Sequence, residues 1–304
     1  MTIYRNTKAK ESLANITEAL IEKLPYKGLG QGHTVETSIG KSYCLELGNP
    51  NLPKLAIFHG GYTNHSFILY YLRSLIKDFH IFAFDMPGHP GKSSEVVLDP
   101  RDDSYGKWAI EAIEAIGIKQ ASFLGLSYGG FVCQRVAAMK PNLVDRLILV
   151  VSAGICPMNQ LSLMRALMFP QILFTLTKKE FFLNSMMNGL FTDYDDELVV
   201  DFFRDMLLYV KTDQRQMKLS RKEEFANFSK PVLLLTAEKD VVFDCNRQEK
   251  EAVKLFPNLE VQKLMGQKHS PSVTESGRNF VCELISDFIM KDEAINEYPK
   301  KAES

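Results

Sequence analysis

The pentapeptide Gly125-Leu126-Ser127-Tyr128-Gly129 constrains this 304-residue chain more than any other feature, because of what flanks it. Ala121 to Leu124 reads as a short apolar strand, and Phe131 to Met139 repeats its apolar residues at helical spacing. Small residues two positions either side of a serine let the chain turn sharply from strand to helix, which lifts the hydroxyl out at the carboxyl edge of a sheet. The N–H of Tyr128 then opens a helix, where unpaired donors and the helix dipole can stabilise an oxyanion.

A strand–turn–helix unit of this kind belongs in an α/β sheet, and the rest of the chain reads accordingly. Apolar runs of strand length occur at Ser42 to Leu47, Lys54 to His59, His80 to Asp85, Arg146 to Val151, Pro231 to Ala237 and Leu259 to Met265. Helical periodicity fills the intervals, as in Trp108, Ile110, Ala112, Ile113 and Ile116. The alternation predicts an α/β fold with a mostly parallel central sheet flanked by helices. Two terminal helices are expected, with stripes Leu13, Ile16, Leu20, Ile21, Leu24 and Phe280, Val281, Leu284, Ile285, Phe288. The polar tail beyond Lys291 is expected to fray.

One stretch breaks the pattern. From about Pro157 to Phe228 the spacing is helical without a clear strand, and seven of the 12 methionines fall there: Met158, Met164, Met168, Met186, Met187, Met206 and Met217. We read an inserted helical unit and divide the chain into a first core part at 1–154, the insertion at 155–228 and a second core part at 229–304. The methionines form either an ordinary helical core or part of an adaptable ligand cavity.

A serine hydroxyl is a poor nucleophile at neutral pH, so the reading requires a base and a carboxylate to orient it. Asp240 follows the run Pro231 to Ala237, and His269 follows Leu259 to Met265. Serine, acid and histidine, each just past a strand, stand in the order that lets one sheet edge gather all three. Asp244 is the rival acid, and Asp240 is preferred because it is nearer the strand end. A second oxyanion donor is expected in the loop His59-Gly60-Gly61-Tyr62, from the N–H of Gly61 with Tyr62 as the near alternative. His59, closing a strand, is read as structural; His33, His65, His80 and His89 lack strand-end context beside an acid, and His65, which could reach a pocket, is not assigned a role.

Other chemistries find no support. Lys and Arg number 36 against 37 Asp and Glu, a balance that offers no field for nucleic acid or an anionic membrane. The five cysteines, Cys44, Cys133, Cys156, Cys245 and Cys282, are odd in number and lack metal-site spacing, so buried inert thiols are expected, with no metal. Gly88 to Ser93 ends like a phosphate-binding loop but has Met86 where the first glycine is needed, and Gly28 to His33 lacks the last glycine of a dinucleotide fingerprint. No cofactor is expected. The polar start carries no secretory signal and no run reaches bilayer length, which points to a soluble cytoplasmic protein. The Asn-x-Ser/Thr matches at Asn15, Asn64 and Asn227 are read as chance.

Together, the His-Gly-Gly loop, the serine elbow, the acid and the histidine resemble the α/β-hydrolase superfamily from about Lys41 to the C-terminal helix. Within it the chain is similar to the capped bacterial carboxylesterase-like members. Asp85-Met-Pro-Gly-His-Pro-Gly-Lys-Ser93 resembles their Asp-x-x-Gly-x-Gly-x-Ser turn, with an extra proline. The resemblance implies a helical cap at about 155–228 and an acyl-enzyme route, since relatives such as haloalkane dehalogenases and epoxide hydrolases carry aspartate at the elbow. It also implies a serine hydrolase acting on a small or medium apolar acyl ester. Carbon–carbon, thioester or lactone cleavage by the same triad, and a ligand-receptor role with little turnover, are the alternatives that fold and triad do not separate.

Overall fold

A computed structural model describes residues 2–25, 30–213 and 215–291. The polar tail beyond Lys291 and the first residues of the Gly28 to His33 segment lie outside the described residues. Among the described residues eight strands form one sheet: β1 (Gln31–Thr37), β2 (Gly40–Leu47), β3 (Lys54–Phe58), β4 (His80–Phe84), β5 (Ala121–Leu126), β6 (Val144–Val150), β7 (Val232–Ala237) and β8 (Leu259–Leu264). Their order across the sheet is β1-β2-β4-β3-β5-β6-β7-β8. β1 and β2 are antiparallel to their neighbours, and every pairing from β4 to β8 is parallel.

The central strands are continuous apolar runs because both faces of the sheet are covered. Leu55, Ile57, Ile81, Ala83, Leu124, Ile148, Val150, Leu233 and Leu235 pack into one core layer. The alternate residues Ala56, Phe58, Phe82, Phe84, Phe123, Leu147, Leu149, Val232 and Leu234 pack into the other, as the two-residue period of a strand requires. The first layer is closed by α2 (His65–Tyr71) and α10 (Glu275–Met290), while α1 (Thr7–Glu22) and α8 (Glu197–Tyr209) pack on α2 and on each other. The second is closed by α3 (Ser104–Ala115), α4 (Tyr128–Met139) and α9 (Cys245–Leu255). Parallel order with a helix between strands directs the strands' carboxyl ends to one edge, where the loops after β3, β5, β7 and β8 meet.

β1 was not among the expected strands. QGHTVET is polar and exposed or half-buried throughout at the sheet edge, paired among the described residues with β2 alone, so no apolar alternation marks it. In α10 the expected stripe is displaced: Val281, Ile285 and Phe288 are buried but Phe280 is 53% exposed, because the face turned inward is centred one residue later. All five cysteines are buried and unpaired, and burial raises the Cys44 and Cys133 thiols well above their ordinary value. Asn64, one of the three Asn-x-Ser/Thr matches, is a buried cap whose side chain accepts from the N–H groups of Ser66 and Phe67 at the start of α2.

Between β6 and β7 the chain leaves the sheet. It forms α5 (Gln160–Leu163), a π turn (Met164–Met168), α6 (Phe169–Thr177), α7 (Glu180–Leu190) and α8. Backbone bonds tie this segment back to the sheet domain: Ser270 N–H donates to Leu190 O at 2.8 Å, and Thr192 N–H donates to Ser270 O at 3.0 Å.

Candidate active site

Ser127 sits at the turn from β5 into α4 with φ 50° and ψ −110°, a left-handed conformation that costs a non-glycine residue roughly 1–3 kcal/mol. The surroundings impose it. Ser127 N–H donates to Val150 O at 2.9 Å, and its carbonyl accepts from Gly130 N–H at 3.0 Å and Ala153 N–H at 2.9 Å. The elbow glycines are required by contact: a Cβ at Gly125 would lie 2.4 Å from the Gly129 backbone, and one at Gly129 would lie 2.1 Å from Phe58 O. No side chain fits between helix and sheet here, so the turn is closed enough to project the serine.

His269, in the loop after β8, brings Nε2 to 2.9 Å from Ser127 Oγ and Nδ1 to 2.9 Å from Asp240 Oδ2. The imidazole is 11% exposed and the carboxylate 1%. With Nδ1–H donated to the carboxylate, Nε2 is left to accept the serine proton. Asp240 is satisfied on its other oxygen by the N–H groups of Val242 at 2.7 Å and Phe243 at 3.1 Å. Asp244 does different work, since its side chain caps α9 by accepting from Arg247 N–H at 2.8 Å. Of the two acids weighed from sequence, Asp240 faces the histidine.

The loop after β3 lies against the elbow. A Cβ on Gly61 would lie 3.6 Å from Tyr128 Cδ2, so the residues expected to supply the two oxyanion donors are neighbours. Tyr62 is held at φ 58° with its hydroxyl donating to Asp213 O at 2.7 Å. His59 is fully buried beneath this loop: its Nδ1–H donates to Gly60 O at 2.8 Å and its Nε2 accepts from Met86 N–H at 2.9 Å. It ties two loops together, and burial pushes its pKa down to about 3. His65 bonds Asp85 through Nδ1 and its own N–H, each at 2.8 Å; Asp85 also accepts from Lys92 N–H at 2.7 Å. This carboxylate, held down to about 2 by His65 beside it against its own burial, closes the Asp85 to Ser93 turn.

His89, set aside with the other histidines by its sequence context, lies at the site. It is buried, with its ring stacked on Tyr62 at 5.3 Å and edge-on to Tyr128 at 5.1 Å, so it wedges between the two candidate donor loops. Burial pushes it down to about 4. Its only sequence signal was its place beside the extra proline of the turn, which says nothing of burial. Two of the methionines in question, Met158 and Met217, line a cavity of about 40 Å³ with Cys156, Leu219 and Phe243, and the Phe243 ring lies 5.6 Å from that of His269. Met186, Met187 and Met206 are buried in the helical core instead, while Met164 is exposed.

The arrangement can deprotonate a hydroxyl, hold the resulting imidazolium against a carboxylate, and present backbone donors nearby. Comparisons with known proteins bear on the same fold. The uncharacterized carboxylesterase nap of Bacillus subtilis (strain 168) is 23% identical over 282 residues, covering 86% of this chain and 87% of that protein. The carboxylesterase YbfK of the same organism is 25% identical over 120 residues, 39% of this chain and 40% of that protein. The crystal structure of naproxen esterase (carboxylesterase NP) from Bacillus subtilis superposes with a TM-score of 0.79 at 17% identity, over 94% of this chain and 99% of that one. The family described as the alpha/beta hydrolase family matches residues 55–279, most of the chain and all of its candidate site, and the chain belongs to that family.

Proposed function

We propose that this protein is a carboxylesterase that cleaves small or medium neutral acyl esters through an acyl-serine intermediate. The observation that carries the reading is the unbroken relay of Ser127 Oγ, His269 and Asp240, each step 2.9 Å long. His269 takes the Ser127 proton as Oγ attacks the ester carbonyl, and Asp240 holds the imidazole in the accepting tautomer. The N–H groups of Tyr128 and Gly61 stabilise the tetrahedral oxyanion. The alkoxide leaves with the proton returned by His269, and a water deprotonated by the same imidazole then releases the acid. The helical residues 155–228 serve as a cap between core parts 1–154 and 229–304. The small apolar cavity at Met158, Met217 and Phe243 supports a short acyl group without a charge. Carboxylesterase relatives support the ester class. Five buried unpaired thiols support a reducing compartment such as the cytoplasm.

Steady-state assays of wild type and Ser127→Ala on activated esters, a thioester and a lactone test the reading. Multiple turnovers on esters are expected from wild type, with a loss of about 10⁴–10⁶-fold in the variant, and a serine-directed phosphonate should label only wild type. Equal ester turnover by both proteins would remove Ser127 from the mechanism. Labelling of wild type without turnover on any substrate would favour a receptor role.

A further inference from the structure

The helical segment between β6 and β7 carries an outward apolar stripe. α5, the π turn and α6 form one continuous run from Gln160 to Thr177, about 27 Å long at 1.5 Å per residue. Along it Leu161 is 61% exposed, Met164 49%, Phe169 59%, Ile172 51% and Leu176 75%, and Phe181 at the start of α7 is 74% exposed. Five residues of regular α-helix would rotate Met164 and Phe169 about 140° apart. The π turn between them, closed by Phe169 N–H donating to Met164 O, takes up the extra residue and brings the two toward one side. The wider turn therefore serves the stripe's continuity, and π turns of this kind recur where a helix face is put to use.

The charged residues carried by the run itself, from Gln160 to Lys179, are of one sign. From Gln160 to Lys179 there is no aspartate or glutamate, while Arg165, Lys178 and Lys179 are exposed. Among the described residues no carboxylate pairs with any of the three. Glu180, the next acid along the chain, is held by Arg204 at 3.1 Å. The whole-chain balance of −1 hides this local excess.

We infer that this face docks flat on the surface of an anionic lipid bilayer, with the apolar side chains in the acyl boundary and Arg165, Lys178 and Lys179 against headgroup phosphates. An amphipathic helix with aromatic and aliphatic residues on one side and unpaired cations at its border has the chemistry of an interfacial anchor. Among the described residues no helix is long and apolar enough to cross a membrane, so the contact is peripheral. A protein partner for such a stripe would need an acidic rim around an apolar groove; a bilayer containing anionic lipid supplies both at any point of its surface. The inference stands apart from the proposed ester chemistry.

Cosedimentation with vesicles of phosphatidylcholine alone, or mixed with phosphatidylglycerol, tests it on the full chain. Wild type should bind the mixed vesicles and lose binding in high salt. Ile172→Ser with Leu176→Ser should reduce binding at least about tenfold, through loss of apolar area. Lys178→Gln with Lys179→Gln should reduce it by roughly fivefold per cation on the mixed vesicles only. Both double variants should keep wild-type thermal stability and wild-type turnover of a water-soluble ester, since all four residues are exposed. Docking without any turnover would sink the ester reading and leave this one intact. Absence of wild-type binding to mixed vesicles, or equal binding by the Ile172/Leu176 variant, would overturn the inference. A dimer in sedimentation velocity that this variant abolishes, without vesicle binding, would assign the stripe to a second copy of the chain.

Discussion

Acidification should loosen the fold through two histidines buried beside the candidate site, and the size of the effect follows from their burial. His59 and His89 are held at about 3 and about 4 in the folded chain, by loss of hydration around a charged ring, against about 6.5 for an unperturbed histidine. The folded value lies below the unfolded one, so the neutral ring is the folded form. Its contribution is complete above about pH 6.5 and is lost as pH falls from there toward the folded value. In that window each histidine weakens folding about tenfold per pH unit. Between pH 7.5 and 4.5 each therefore costs roughly 2–3 kcal/mol, and the two together about 5 kcal/mol, comparable to the whole stability of many domains. His89→Phe removes one of them: it keeps a ring between Tyr62 and Tyr128 and removes a buried Nε2 that has no hydrogen-bond partner among the described residues. Urea unfolding can be followed by the fluorescence of Trp108, the single tryptophan, which is buried. The difference in unfolding free energy between His89→Phe and wild type should move by roughly 2–3 kcal/mol in the variant's favour from pH 7.5 to 4.5, the groups remote from His89 cancelling. Parallel pH curves for the two proteins would refute a neutral buried His89.

Asp240→Asn should lower kcat/KM on an activated ester about 10⁴-fold, whereas Asp244→Ala should leave it unchanged and cost about 1 kcal/mol of stability through the lost helix cap; the reverse pattern would exchange their roles. Gly129→Ala should destabilise by more than about 3 kcal/mol in thermal or urea unfolding, because its methyl group meets Phe58 O at 2.1 Å, and a fully stable variant would contradict the elbow packing. Met217→Ala opens the cavity beside Phe243, so the ratio of kcat/KM for butanoate over acetate esters should rise about tenfold. An unchanged ratio would separate that cavity from the acyl group.

Much of this molecule was legible in the chain because its strongest signals are local. A serine between two small residues, with a strand before and a helix after, is a statement about a few consecutive backbone torsions, and Ser127 adopts them. The central strands are continuous apolar runs because both sheet faces are covered, and that too is written residue by residue in β3, β5, β6 and β7. The chain order of Ser127, Asp240 and His269 also followed from strand ends, since parallel topology carries each one to the same edge.

What tertiary structure alone decided concerns groups whose partners are far away in sequence. Asp240 and Asp244 look alike along the chain, and they differ because Asp240 is left facing His269 while Asp244 sits where a helix begins. β1 has too few apolar residues to announce a strand and exists because β2 offers it a free edge. His89 became a neutral wedge only when the loops carrying Tyr62 and Tyr128 closed around it, and the stripe from Leu161 to Leu176 became continuous only through the π turn. Local sequence specifies torsion and periodicity; which side chain is dehydrated, paired or left outward depends on the neighbours that folding supplies, and that is settled by packing across the whole chain.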